Sequence, residues 1–423
     1  MKKRLLPLLL ACLLLTACGA QNPEDMWAPW VPEAPSLDLV QTSLDGLTVP
    51  EGVKVVGLGE ASHGVKEYQE MKGAVFQALV ENNGCRSFII EGDFGSAIAV
   101  DEYIHGGEGT AQEAANQIGF RIYQTKEMAD ILTWMRQYNE TTPEGEDLHF
   151  YGMDIQWADA SKEYLFRVLE QVPPELGEEF QVFRERLEFL NDDDMFDLTA
   201  QEFEQGTAVV QELLEAMDAA QGEMTAAVGE RAFAFARECA HSLSECCTVR
   251  GASDLQYNEL RDIFMARKVQ WYLDQGDGSL LFINGHNGHI AKEGETTYTS
   301  LGENLWIDLQ GAYFAIGTNA AVTAYNAQGE DGSFTEVTVE NNDPLTRLAT
   351  ELKQDQGALW YYADFSAVRK DPNWGKLLSQ TWSMTSLNVG VSILNTGRIV
   401  PEKAYDGMIV FDTVSPTTLK LDE

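Results

Sequence analysis

Residues 53–64 read VKVVGLGEASHG. The first seven form a short β-rich run that ends in glycine. Residues 65–81 follow with helical spacing, placing Met71, Val75, Phe76, Leu79 and Val80 on one face. Asn83-Gly84 stops that helix. Residues 86–90 (RSFII) then have the continuous apolar character of a buried parallel strand and close on Glu91-Gly92-Asp93. The alternation continues with helices over 96–104 and 128–138 and strand-like runs at 149–153, 280–284 and 313–317; residues 407–412 add a strand in the tail. Apolar strands separated by helices predict an α/β fold of three layers, α/β/α, with a mostly parallel central sheet. Residues 161–273, broken near Pro173-Pro174 and 191–194, exceed one crossover and read as an inserted helical subdomain. The α/β core is thereby split into a first part, 37–160, and a second, 274–423.

Ahead of this core, Lys2, Lys3 and Arg4 precede an apolar run, residues 5–15, that is too short to span a bilayer as a mature helix. The run ends in Leu15-Thr16-Ala17-Cys18-Gly19, which resembles the lipobox of bacterial lipoproteins. Residues 1–18 therefore read as a lipoprotein signal. Lipidated Cys18 would anchor the chain to the outer face of a bacterial membrane. Pro23, Pro29, Pro32 and Pro35 make residues 19–36 an extended tether. A formal net charge of −38 argues against a nucleic-acid partner, which needs a basic face, and disfavours adhesion to anionic lipid. Acyl chains would hold the protein to the membrane. Beyond Cys12 and Cys18, the remaining cysteines Cys85, Cys239, Cys246 and Cys247 make no disulfide framework and read as small buried apolar residues.

The residues that carry chemistry stand just beyond the strands: Glu60 and His63 after the first, Glu91 after the second, Asp154 after the third, His286 and His289 after the fourth. In open α/β sheets the carboxyl ends of the strands form the ligand crevice, so these segments should meet there. His105, His149 and His241 fall in a turn, a strand and a helix, and the pattern gives them no role. A nucleophile elbow of the G-x-S-x-G type is absent, which argues against a serine hydrolase; Ser62 and Ser96 read as loop polarity and helix capping. No phosphate-binding glycine motif appears. Glu60-x-x-His63 and His286-x-x-His289 offer ligand types for zinc or iron, but they sit in loops where local geometry does not enforce convergence, and neither metal nor cofactor is assigned.

Residues 59–104 resemble the erythromycin esterase family, beginning with its G-E-[AS]-[ST]-H-G signature. Further matches are residues 123–138 (YQTKEMADILTWMRQY), 151–156 (YGMDIQ), 261–273 (RDIFMARKVQWYL), 284–290 (NGHNGHI) and 299–305 (TSLGENL). The resemblance implies an α/β/α core, a helical subdomain and a cleft between them. It implies that His63 is the general base that activates water, with Glu60 and Glu91 beside it and Lys72 and His286 lining the cleft. Two departures, GVKEY at 64–68 and Tyr123 where tryptophan is common, are expected at the cleft wall and leave the substrate open. The expected reaction is hydrolysis of a small-molecule ester, with a macrolactone as one candidate, by direct attack of water. Glu60 or Glu91 would fix the tautomer of His63, and Lys72 or His286 would stabilise the oxyanion. Arg121, Arg261, His289 and Asp154 would contact the substrate. Two other readings are a haem- or other ligand-binding surface lipoprotein on the same fold and an esterase acting on acyl groups of envelope polymers.

Overall fold

Successive side chains of a strand point to opposite faces of its sheet, and here both faces are buried. In the computed structural model, residues 34–421 are described apart from 144, 277, 295–296, 330, 388–389 and 391–395, and apart from the side chain of 179. The strands are β1 (Val55–Glu60), β2 (Ser87–Asp93), β3 (His149–Asp154), β4 (Leu281–His286), β5 (Tyr313–Gln328), β6 (Phe334–Glu340), β7 (Trp360–Asp364), β8 (Trp382–Thr385), β9 (Thr396–Ile399) and β10 (Gly407–Val414). Eight of them form one sheet in the order β3-β2-β4-β1-β5-β10-β7, with β6 paired to β5; β8 and β9 form a separate hairpin. From β3 to β10 the pairs are parallel, while β7 and β6 join antiparallel.

Alternation divides the core in two. Val56, Leu58, Phe88, Ile90 and Phe282 face helices Lys66–Asn83 and Lys126–Asn139, whose Val75, Phe76, Leu132 and Met135 complete that layer. Phe150, Phe88 and Phe282 stand level on three adjacent strands, and Phe76 caps them edge-on against Phe88. Val55, Ile89 and Ile283 face the other way. They meet the helices that carry the chain from β3 to β4: Asp159–Leu169, Pro174–Arg186, Ala200–Ala219, Gln221–Val228, Glu230–Arg250 and Asp254–Gln275. These helices share one apolar cluster with the sheet and form its second covering layer.

Strand β5 is sixteen residues long, whereas the sequence suggested a run of five. Its first part pairs with β1 and β10, and its second pairs antiparallel with β6. Polar Thr323, Asn326 and Gln328 interrupt that second part, so it does not read as a continuous apolar run. All four cysteines of the described residues are free and buried, and burial pushes the Cys85 thiol up to about 12. The signal, Cys18 and most of the tether lie outside the described residues. Ser36 is already fastened to the body, its N–H to Asp371 Oδ2 and its carbonyl to Trp374 Nε1, both at 2.9 Å. No helix of the described residues is long and apolar enough to cross a membrane.

The β5–β6 hairpin is tied to the loop after β1 through Gly64, whose carbonyl accepts the Asn326 N–H at 3.1 Å. Gly64 has φ of 71°, and a Cβ there would stand 2.4 Å from the Asn326 carbonyl oxygen. Gly64→Ala therefore combines a left-handed backbone, about 1–2 kcal/mol, with a backbone clash of about 1–3 kcal/mol. Gly52 has φ of 90° but open space around its Cα, so Gly52→Ala should cost only the first of these. Urea unfolding of both variants should rank Gly64→Ala well below Gly52→Ala in stability.

Candidate active site

Glu60 closes β1 and His286 closes β4, and the two residues are in register on neighbouring parallel strands. On the other side of β4, Ile90 is level with Asn284, so Glu91 arrives beside His286 and its Oε2 accepts the His286 N–H at 2.7 Å. The strand ends thus converge because the parallel register leaves them level.

The turn between β1 and helix Lys66–Asn83 folds His63 back over Glu60, with Nδ1 2.7 Å from Oε1. The second oxygen, Oε2, lies 3.0 Å from the ammonium of Lys72. Lys72 is wholly buried, with the Tyr123 ring 5.2 Å away. Burial alone would raise the Glu60 carboxyl, but the Lys72 ammonium and His63 outweigh it and hold it at about 2. An ionised carboxylate only accepts hydrogen bonds, so Nδ1 of His63 carries the proton. Nε2 is the nitrogen left for the cleft.

A second network braces the opposite wall. Arg261, on helix Asp254–Gln275, reaches both oxygens of Asp154 from Nε at 3.1 Å, and its Nη2 bridges Asp154 Oδ2 at 2.6 Å and Glu91 Oε1 at 2.7 Å. His289 stands between Asp262 Oδ1, 2.7 Å from Nδ1, and Glu91 Oε1, 3.3 Å from Nε2. Burial disfavours its charge, yet Asp262 and Glu91 carry His289 up to about 10, an imidazolium at neutral pH. Arg261 Nη1 lies 3.1 Å from Nε2 of that imidazolium. Both are donors, so Glu91 between them holds the two cations together. Although burial would raise Glu91, His289 and Arg261 hold it well below the carboxylate range.

Between the networks sits His286. Its Nδ1 accepts the Gly288 N–H at 3.1 Å, and burial, with His63 and His289 nearby, pushes it down to about 3. It is therefore a neutral ring with its proton on Nε2, an atom with no protein partner among the described residues. The His63 and His286 rings are 5.5 Å apart. Both face a cleft of about 580 Å³, together with Glu91, Arg261 and His289. Phe120, Gln156, Asn258, Tyr298, Gln328 and Ser386 are among the other residues of its wall.

Several expected roles change. Lys72 lies beneath Glu60 rather than in the cleft, so it cannot reach an oxyanion; it keeps Glu60 ionised instead. Glu91 does not orient His63, because both its oxygens are spent on Arg261, His289 and the His286 backbone. Asp154 is fully buried and holds Arg261, the Ile155 N–H and the Gln156 amide, so it positions rather than contacts substrate. Arg121 turns away to the Gly332 carbonyl and the Phe334 ring. Tyr123 packs on Lys72, and in the GVKEY segment Lys66 pairs at the surface with Glu70, so neither departure forms cleft wall. Buried Ser62 donates to the His63 carbonyl. Sequence reasoning missed Asp262, whose only signal was its place beside Arg261 on an otherwise ordinary helix. The ligand pairs considered for a metal are divided between the two networks, with His63 Nδ1 on Glu60 and His286 Nδ1 on Gly288.

A mostly parallel α/β/α sheet with carboxylates and histidines gathered at its carboxyl edge defines an α/β enzyme-like fold. The profile described as "Erythromycin esterase" matches residues 80–414, and the chain belongs to the erythromycin esterase family. The chain is 30% identical to the Escherichia coli protein named erythromycin esterase type II over 102 residues, 24% of this chain and 23% of that protein. The Bacillus subtilis protein YbfO, whose name proposes a hydrolase of unstated substrate, is 23% identical over 98% of both chains. Among solved structures, a Bacillus cereus protein matches with a TM-score of 0.76 at 22% identity, covering 92% of this chain and 96% of that one. A succinoglycan biosynthesis protein matches with 0.74 at 20% identity, covering 88% and 90%. An erythromycin esterase mutant in its open conformation matches with 0.65 at 14%, covering 88% and 93%. The structural likenesses show a shared fold, and the family supports a hydrolase.

Lys72→Met removes the ammonium and leaves Glu60 buried alone, a change worth about 3–5 kcal/mol for a broken buried pair. In the parent, the depressed Glu60 stabilises fully above its unfolded value near 4.3 and loses that contribution as pH falls through about 2. In the variant Glu60 should protonate at higher pH, so its share of the acid-linked loss of stability should shrink even as stability at neutral pH falls. A protonated Glu60 would also donate to His63, so the acid limb of the pH–rate profile should move upward with KM little changed.

Proposed function

We propose that this protein hydrolyses a carboxylic ester, with macrolactones among the candidate substrates, by direct attack of water. The observation that carries this reading is His63 held through Nδ1 by an ionised Glu60, which leaves the Nε2 lone pair facing a cleft lined by cations and a neutral donor. Water bound between Nε2 and the ester carbonyl gives its proton to His63 as its oxygen bonds the carbonyl carbon. The oxyanion then faces the Nε2–H of His286 and the positive charges of Arg261 and His289, fixed in place before reaction. On collapse the alkoxide leaves, and the His63 imidazolium protonates it. Products are an alcohol and a carboxylic acid, which loses its proton to solvent. Glu60 stabilises the imidazolium between the two steps. A cleft of about 580 Å³ suits a drug-sized molecule.

Substitution of His63 by Asn keeps size and polarity but removes the proton acceptor. For an ester identified by screening macrolides and short acyl esters for gain of one water by mass spectrometry, kcat should fall by about 10² or more with KM little changed. His286→Asn should cost less. Parental turnover in His63→Asn, with loss in His286→Asn, would place the base on the wrong strand end.

The same proposal places the enzyme outside the cytoplasm, anchored through Cys18, which rests on the lipobox-like residues 15–19. Cys18→Ala should move the protein from the detergent phase to the aqueous phase; equal retention would refute the anchor.

A further inference from the structure

His105 and His149 are 44 positions apart in sequence (149 − 105) and received no role from it, yet the fold brings them together with Asp101. Helix Phe94–Ile104 starts where β2 ends, runs back along the sheet and is capped at its C-terminus by His105. His149 opens β3, whose far end carries Asp154. The three side chains therefore sit at the amino edge of the sheet, opposite the catalytic cleft, roughly 16 Å of strand away.

Asp101 Oδ1 lies 3.3 Å from His149 Nδ1 and 3.7 Å from His105 Nδ1, and one ligand atom from each of the three residues lies within 4.8 Å of the other two. Four-coordinate zinc with bonds of about 2.0–2.1 Å sets its ligand atoms about 3.3 Å apart, so only a small closure of these donors is needed. The carboxylate is already oriented: Oδ1 takes the Phe150 N–H at 2.9 Å, and Oδ2 takes Arg231 at 3.3 Å. Outer partners of this kind fix a ligating carboxylate. Both segments are also joined next to the site, where Asn139 Nδ2 donates to the Ile104 and Leu148 carbonyls. The side chains are 15–30% exposed, which gives an ion a way in and leaves room for water. The carbonyls at the helix C-terminus favour a cation, while Arg231 opposes one. Two imidazoles and a carboxylate suit late first-row dications of the zinc class.

We propose that Asp101, His105 and His149 form a binding site for a zinc-class divalent cation. His105 exchanges its 2.7 Å bond to the Asp101 carbonyl for a bond to the ion, with its ring proton moving to Nε2. The ion clamps the end of helix Phe94–Ile104 to the start of β3, stabilising the fold and taking no part in hydrolysis.

The test is titration of chelator-stripped, full-length protein with Zn²⁺ by calorimetry, alongside thermal unfolding with and without the ion. One equivalent should bind and raise Tm. His105→Ala and His149→Gln should each weaken binding at least about 10-fold, as loss of a ligand must cost no less than loss of an outer partner. Each should keep parental hydrolysis and parental Tm without Zn²⁺. Asp101→Asn, which preserves shape, should also weaken binding, whereas His63→Asn should bind Zn²⁺ like the parent. Absence of stoichiometric binding, parental affinity in the His105→Ala, His149→Gln double variant, or loss of binding in His63→Asn would each overturn the proposal.

Discussion

Glu60 and Lys72 are opposite charges taken wholly out of water, and the orientation of His63 depends on their pairing. Removing two such groups from solvent costs several kcal/mol each, offset only if the pair stays intact and further hydrogen bonds complete it. Here His63 supplies one of those bonds. Lys72 belongs to a helix whose apolar face is packed against the sheet, so the carboxylate that aims His63 is held by the core itself. A shift of that helix would be felt at His63 before it was felt at the surface.

Three histidines share one cleft yet differ in state because their neighbours differ. Among the described residues, His63 has a carboxylate on Nδ1 and no hydrogen-bond partner on Nε2; His286 has a backbone donor on Nδ1 and sits near other imidazoles; His289 lies between two carboxylates and is charged. A ring aimed through Nδ1, a neutral donor and a fixed cation can thus coexist within one edge of a sheet, each set by its surroundings. Asp154 and Asp262 make this possible from outside the cleft, the first by holding Arg261 and the second by charging His289.

The strands that carry the site were legible because each is an apolar run closing on a titratable residue, and parallel pairing then forces those ends together. The long second half of β5 and β6 escaped notice because polar positions interrupt them. Burial was the other missing quantity. A lysine at position 72 reads the same whether its helix face points to water or to a carboxylate, and only packing shows that Lys72 and Asp154 serve other residues instead of substrate. Asp262 was invisible for a related reason: neighbouring helix positions diverge, and nothing local reveals that Arg261 and Asp262 both bear on His289. His105, His149 and Asp101 meet because a helix returns along the sheet, a relation that exists only in three dimensions.

Everything proposed for the cleft requires that ionised Glu60 keep the His63 proton on Nδ1 and its lone pair on Nε2. Nitrogen-15 NMR of protein labelled at histidine, with His63 assigned by comparison with His63→Asn, reads the tautomer directly. The expected spectrum of the neutral His63 ring shows a protonated Nδ1 and an unprotonated Nε2. A neutral ring protonated on Nε2 would contradict this, because no lone pair would then face the cleft to take a proton from water.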